Sequence, residues 1–108
     1  MSITVHLFYK GENGNAQKFA QEMESSGVAE AIRQEPGNLR YDYFISMKDP
    51  ETVLLVDSWE NQEAIDIHHD SPMMAQLGAL REKYDLHMEA ERFVEDSFTA
   101  HDTSFIRK

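Results

Sequence analysis

The sequence predicts an α+β domain of ferredoxin-like order, β-α-β-β-α-β, with an antiparallel sheet. Three observations carry that reading. Segments of strand period and helix period follow one another in that order. The prolines Pro36, Pro50 and Pro72 all fall where one period gives way to another. A length of 108 residues suits one domain with one core and leaves little room for a second.

The elements follow from local chemistry. Ile3, Val5, Leu7 and Tyr9 alternate with Thr4, His6 and Phe8, which is the period of a strand, and the turn-rich run Gly11 to Gly14 closes it. Asn15 is then placed to cap a helix whose apolar stripe is Ala16, Phe19, Ala20 and Met23. Ser25, Ser26 and Gly27 interrupt that stripe, and it resumes at Val28, Ala31 and Ile32, so a second short helix capped by Ser26 is expected. Glu35-Pro36-Gly37 ends it, because a residue before proline is pushed out of the α region. Asn38 to Met47 reads as the second strand, rich in Tyr41, Tyr43, Phe44 and Ile45. The turn from Lys48 to Glu51 is short enough for a hairpin into a third strand, Thr52 to Trp59. Asn61 can cap a short helix carrying Ala64, Ile65 and His68. Ser71 before Pro72 is a strong start signal for a further helix carrying Met74, Leu77, Leu80 and Tyr84. Leu86 to Val94 is the last strand, with Glu89 and Glu91 on its wetter side.

Residues 1–94 form the domain in this reading, and 95–108 a tail without a clear period, either disordered or an arm that packs on something. Val53 to Val56 is apolar on both faces of its strand, and Tyr41, Tyr43 and Phe44 also occupy both faces. Helices cover one side of such a sheet, so the other side calls for a second copy, giving a homodimeric α+β barrel. Phe98 and Phe105 in the tail could reach over that partner.

Composition narrows the function. The 20 Asp and Glu against 10 Lys and Arg give a formal charge of −10, which argues against nucleic acid and anionic membrane as partners. No cysteine is present, so there is no disulfide scaffold, thiolate metal site or thiol nucleophile. The opening residues lack the basic and apolar regions of a secretion signal, and no apolar run is long enough to span a bilayer. A soluble cytoplasmic protein is expected. The five glycines never reach dinucleotide or phosphate-loop spacing.

The residues that could carry chemistry are Asn38, Tyr41, Tyr43, Asp57, Trp59 and His68. Trp59 ends a strand and His68 lies on the helix that follows, so the two can face the same space. An imidazole is the natural base for a phenol or enol near neutral pH. Asn38 offers amide donors to a developing oxyanion, and Tyr41 and Trp59 offer flat surfaces to a flat substrate. Each has a plainer role too: a Trp at a strand end is often core, a Tyr pair on a sheet is often packing, and Asn38 after Pro36-Gly37 suits turn chemistry. His68 and His69 point about 100° apart on a helix and do not chelate one ion as an i, i+4 pair would.

The ordered set Glu35-Pro-Gly-Asn-Leu-Arg-Tyr41, Asp57-Ser-Trp59, Ala64 and His68-His-Asp-Ser71-Pro72 resembles the antibiotic biosynthesis monooxygenase family, over residues 1–94. That resemblance implies a dimeric α+β barrel and, in some members, oxidation of phenols or quinols by O2 without metal, flavin or haem. It implies His68 as base, Asn38 as holder of the substrate oxygen, and Trp59 as a pocket wall. Tyr41 and Tyr43 would line the pocket, one of them pointing inward. Met73 and Met74 stand where many members carry a further histidine, which implies a greasier pocket. The expected partners are a small aromatic or quinol substrate, O2 and a second copy of the chain, and no cofactor is expected. Two other functions stay open: an isomerase using His68 for enolisation, and a non-catalytic module binding quinone or haem.

Overall fold

β1 (Ile3–Lys10) puts Ile3, Val5, Leu7 and Tyr9 on one face, and the same alternation in β3 (Thr52–Trp59) sets Val53, Leu55, Asp57 and Trp59 opposite them, register Ile3 to Trp59 and Tyr9 to Val53. In this computed structural model, which describes residues 1–108, the other two strands are β2 (Asn38–Ile45) and β4 (His87–Val94). All pairings are antiparallel and the order across the sheet is β2-β3-β1-β4. The fold is the ferredoxin-like α+β fold.

Helices cover the face that carries Tyr9 and Trp59. They are α1 (Asn15–Ser25), α2 (Val28–Arg33), α3 (Gln62–His69) and α4 (Pro72–Lys83). The core they close over includes Phe19, Met23 and Ile32 from the helices and Tyr9, Tyr41, Val53, Leu55 and Trp59 from the sheet, all at 1 % exposure or less. Burying an aromatic or branched side chain contributes about 1.5–3 kcal/mol each, so this one layer of contacts holds the helices to the sheet.

Several local expectations are corrected. Gly14, at φ +75°, caps α1, and Asn15 is its first helical residue, where the side-chain amide donates to the Tyr84 carbonyl at 3.1 Å. Gly27, at φ +85°, caps α2, and the Ser26 hydroxyl accepts from the Val28 amide at 3.4 Å. The buried residues of α2 are Val28, Ala29 and Ile32, so Ala29 and not Ala31 completes its inward face. Asn61 caps α3, its Oδ1 accepting from the Ala64 amide at 2.9 Å, and Ser71-Pro72 starts α4. The Ser71 hydroxyl is nevertheless buried without a partner. Tyr41 and Tyr43 are not alternatives for the inside. They are two apart on β2, share the helix-covered face, and their hydroxyls lie 3.0 Å apart.

The opposite face carries Phe8, Phe44, Leu54, Val56 and Phe93, with Glu89 and Glu91 among them, and no helix covers it. The tail is tied to the domain where the Glu95 amide donates to the Ser2 carbonyl, and it holds a short helix, α5 (Ala100–Thr103), capped reciprocally by Thr99 and Asp102. Every residue from 95 to 108 is exposed. The radius of gyration, 15.3 Å, exceeds the about 13 Å expected of a compact chain of this length, as a projecting tail requires. No helix is long and apolar enough to cross a membrane.

Candidate functional site

Trp59 and Asp57 sit two residues apart on the covered face of β3, and the Trp59 Nε1–H donates to Asp57 Oδ1 at 2.7 Å. The chain then turns directly into α3, whose buried face is Ala64, Ile65 and His68. That spacing brings the His68 ring over Trp59, centroids 4.6 Å apart and planes inclined by 30°. On its edge, His68 Nδ1 lies 2.6 Å from Glu35 Oε2. A carboxylate only accepts, so this contact places a proton on Nδ1, while Nε2 makes no hydrogen bond inside the protein. The arrangement of carboxylate, imidazole and free Nε2 is that of an oriented general base.

Glu35 reaches His68 across 33 residues of sequence because of Gly37. It adopts φ +84°, and a Cβ there would stand 2.6 Å from the Cβ of Ala64. The Glu60 amide donates to the Gly37 carbonyl at 2.8 Å, closing the turn onto the start of α3. Only a residue without a side chain lets this turn lie flat on the helix, and Ala64 is one helical turn before His68.

His68 opens onto a cavity of about 150 Å³ between the sheet, α3 and α4. Its walls are mainly apolar: Leu7, Leu55, Met74, Leu77 and Met88, with Tyr9 and Tyr41. The polar groups on it are Asp57, His68, His69 and Arg81. Burial pushes the Asp57 carboxyl up to about 7; the hydrogen bond from Trp59 works against that rise and the Glu35 charge adds to it. Burial likewise holds the Tyr9, Tyr41 and Tyr43 phenols well above their ordinary value, so all three are neutral donors. The Tyr9 hydroxyl is fully buried and unpartnered.

A larger hollow of about 560 Å³ lies elsewhere, between α1 and the β2 edge, lined by Gln17, Ala20, Glu24, Tyr43 and Ile45 among others. It is an open groove, and its one carboxylate, Glu24, is already bound to Arg33. The smaller cavity, unlike the groove, is lined by an imidazole, a buried carboxyl and two phenols, groups able to move protons.

The structure thus gathers His68, Tyr41 and Met74 on one cavity, with Trp59 behind His68 as its support and not itself on the wall. Met73 packs against the core beside it. Tyr43 touches Tyr41 but lines the open groove. Asn38 is not on the cavity: it sits at an irregularity in the β2–β3 register, where its amide donates to the Arg40 and Ser58 carbonyls at 3.3 and 3.4 Å. Sequence reasoning missed Glu35 as the partner of His68 and Tyr9 as a cavity group. The signal for Glu35 was its place before Pro36-Gly37, read as a helix end and as the first residue of the family-like run without a role of its own; Tyr9 carried none beyond strand alternation.

Comparison with known proteins bears on the family and the fold. A family model described as antibiotic biosynthesis monooxygenase matches residues 2–79. No curated protein matches the chain. Among solved structures, a conserved protein of Methanosarcina mazei superposes with a TM-score of 0.76 at 18% identity, covering 89% of this chain and 94% of that one. A Bacteroides thetaiotaomicron protein of unknown function, named a possible oxidoreductase, gives 0.74 at 21%, covering 85% and 95%. A Deinococcus radiodurans protein provisionally assigned as an antibiotic biosynthesis monooxygenase gives 0.71 at 19%, covering 92% and 96%. At these identities the structural likeness carries the fold. With the family model spanning well over half of its length, the chain belongs to the antibiotic biosynthesis monooxygenase family.

Proposed function

We propose that the protein is a cofactor-independent monooxygenase that oxidises a small quinol or polyphenol with O2, with His68 as the base. The observation that carries this is His68 itself: 4 % exposed, oriented by Glu35, backed by Trp59 and turned onto a mainly apolar cavity. Nε2 takes the phenolic proton, and the resulting anion is electron-rich in a site of low polarity. It gives one electron to O2, and the aryloxyl radical and superoxide combine at a ring carbon. The proton returns from His68 to the peroxide, the O–O bond breaks, and the ring C–H and the distal hydroxyl leave as water. One quinol and one O2 give one hydroxyquinone and one water, with no external reductant.

Tyr41 and Met74 line the substrate ring in this proposal. Asn38 would meet the oxyanion only by releasing the Arg40 and Ser58 carbonyls, both held at the long end of hydrogen bonding. A homodimer belongs to the same reading, with a second copy covering Phe8, Phe44, Leu54 and Val56 and the tail from 95 to 108 as the arm across it. Its Phe98 and Phe105 are 74 % and 76 % exposed. Sedimentation of the full chain against one ending at Val94 tests the arm: equal dimer stability would discard it.

Incorporation of isotopically labelled O2 tests the chemistry. One labelled oxygen in the quinone product supports the monooxygenase; none, with turnover retained, contradicts it. One observation favours the isomerase as a second reading: Asp57, a carboxyl that keeps its proton to about pH 7, shares the cavity with a base, and an acid and base together serve enolisation. Turnover under strict anaerobiosis separates the two.

A further inference from the structure

The end of the cavity away from Trp59 holds two groups whose chemistry the fold itself does not use. β1 sets Tyr9 opposite Val53 on one side and Met88 on the other, at the far end of the strand from the Ile3–Trp59 pair. The Tyr9 hydroxyl is buried without a partner, a costly state unless something else accepts its proton. Arg81 projects from the last turns of α4 onto the same cavity. Arg33 is bound to Glu24 and Glu30, and Arg40 to Asp42, but Arg81 makes no ion pair; its guanidinium donates only to Met88 Sδ, at 3.2 Å. A half-buried guanidinium facing a thioether is a charge without its counter-charge, and planar guanidinium is the side chain best shaped for a carboxylate.

We propose that this end of the cavity is an anion subsite, in which the Arg81 guanidinium and the Tyr9 hydroxyl hold a carboxylate carried on the substrate ring while the phenol of that ring meets His68. The substrate class is then a monocyclic phenolic acid. Size agrees, since an apolar cavity of about 150 Å³ accepts one six-membered ring and this one is of that volume. Its anionic end lies toward Met88, which is 41 % exposed, so a substituent there can reach the mouth. Asp57, the one carboxyl on the wall, keeps its proton to about pH 7 and does not repel an anion below that.

The inference rests on the reading of His68 as the base, and the experiment separates the two. Gentisate, its neutral carboxamide and hydroquinone are titrated into the full-length protein by calorimetry, with the fluorescence of Trp59, the only tryptophan, as a second readout. Oxygen uptake is measured on the same three compounds. The expected result is that gentisate binds about 10- to 100-fold tighter than the carboxamide, the range of a charge-assisted pair. Arg81→Gln erases that preference, Arg81→Lys keeps part of it, and Tyr9→Phe reduces it. The urea midpoint of each variant shows that the fold is retained. Equal affinity for acid and amide, a preference that survives Arg81→Gln, or no binding of any of the three overturns the subsite. Uptake without an acid preference leaves the monooxygenase standing and the subsite refuted. An Arg81-dependent preference without uptake does the reverse.

Discussion

Asp57→Asn is the perturbation whose outcome the structure specifies most fully. Asp57 is 7 % exposed, and its carboxyl accepts the Trp59 indole proton at 2.7 Å; burial, opposed by that hydrogen bond, raises its pKa from 3.8 to about 7. A carboxyl whose folded pKa lies above its unfolded one binds its proton more tightly in the folded state. The folded chain is therefore favoured below about pH 4, and that contribution is lost as pH rises to about 7. At about 1.4 kcal/mol per pH unit the full span is up to about 4 kcal/mol. Asparagine has the shape of the protonated acid, keeps an oxygen for the indole and does not titrate. The variant is thus close to wild type in stability at pH 4 and more stable at pH 8, by up to about 4 kcal/mol. Urea denaturation followed by Trp59 fluorescence at half-unit steps of pH measures the difference, and other titrating groups cancel between the two proteins. A difference that does not change with pH, or that grows toward acid, refutes the reasoning.

Three further predictions test the supports of the site. Tyr9→Phe removes a buried hydroxyl that no protein group satisfies, so it should raise the free energy of unfolding by about 1 kcal/mol in a urea titration, although the ring is fully buried and the change looks like loss of a polar contact. Gly37→Ala places a methyl against Ala64 at a positive φ and should cost about 2–4 kcal/mol; Gly27→Ala, at a positive φ with nothing within 4 Å, should cost about 1 kcal/mol and serves as its control. Glu35→Gln keeps the size of the side chain but releases the His68 tautomer, and kcat on a quinol should fall about 10- to 100-fold, with a cooperative urea transition showing that the fold is retained.

The fold was legible because its signals are local. Alternation in β1, the apolar run of β3, the apolar spacing of α1, the Asn61 cap and the Ser71-Pro72 start each depend on residues within one or two turns of one another. The caps at Gly14 and Gly27 were misread for a related reason: Asn15 and Ser26 are good capping residues, but the adjacent glycines alone take the left-handed backbone these turns need. The site was half legible. Trp59 and His68 are joined by a short connection, so their meeting follows from the chain path. The Glu35–His68 pair does not, since it depends on a turn lying against Ala64 across 33 residues. Asn38 lies off the cavity, at a register irregularity between Asn38 and Arg40 that leaves no trace in composition. Arg81 and Tyr9 stand out only once the fold brings both onto one cavity, a meeting that no local spacing records.

The central claim is that His68 is the base of a reaction with O2, and oxygen uptake tests it most directly. Wild-type protein and His68→Ala, both treated with chelator, are compared across a panel of hydroquinones and phenolic acids, each corrected for autoxidation. The account predicts uptake by the wild type that falls about 10²- to 10⁴-fold in the variant with the fold intact. Uptake by His68→Ala equal to wild type, or none above autoxidation from either protein, contradicts it.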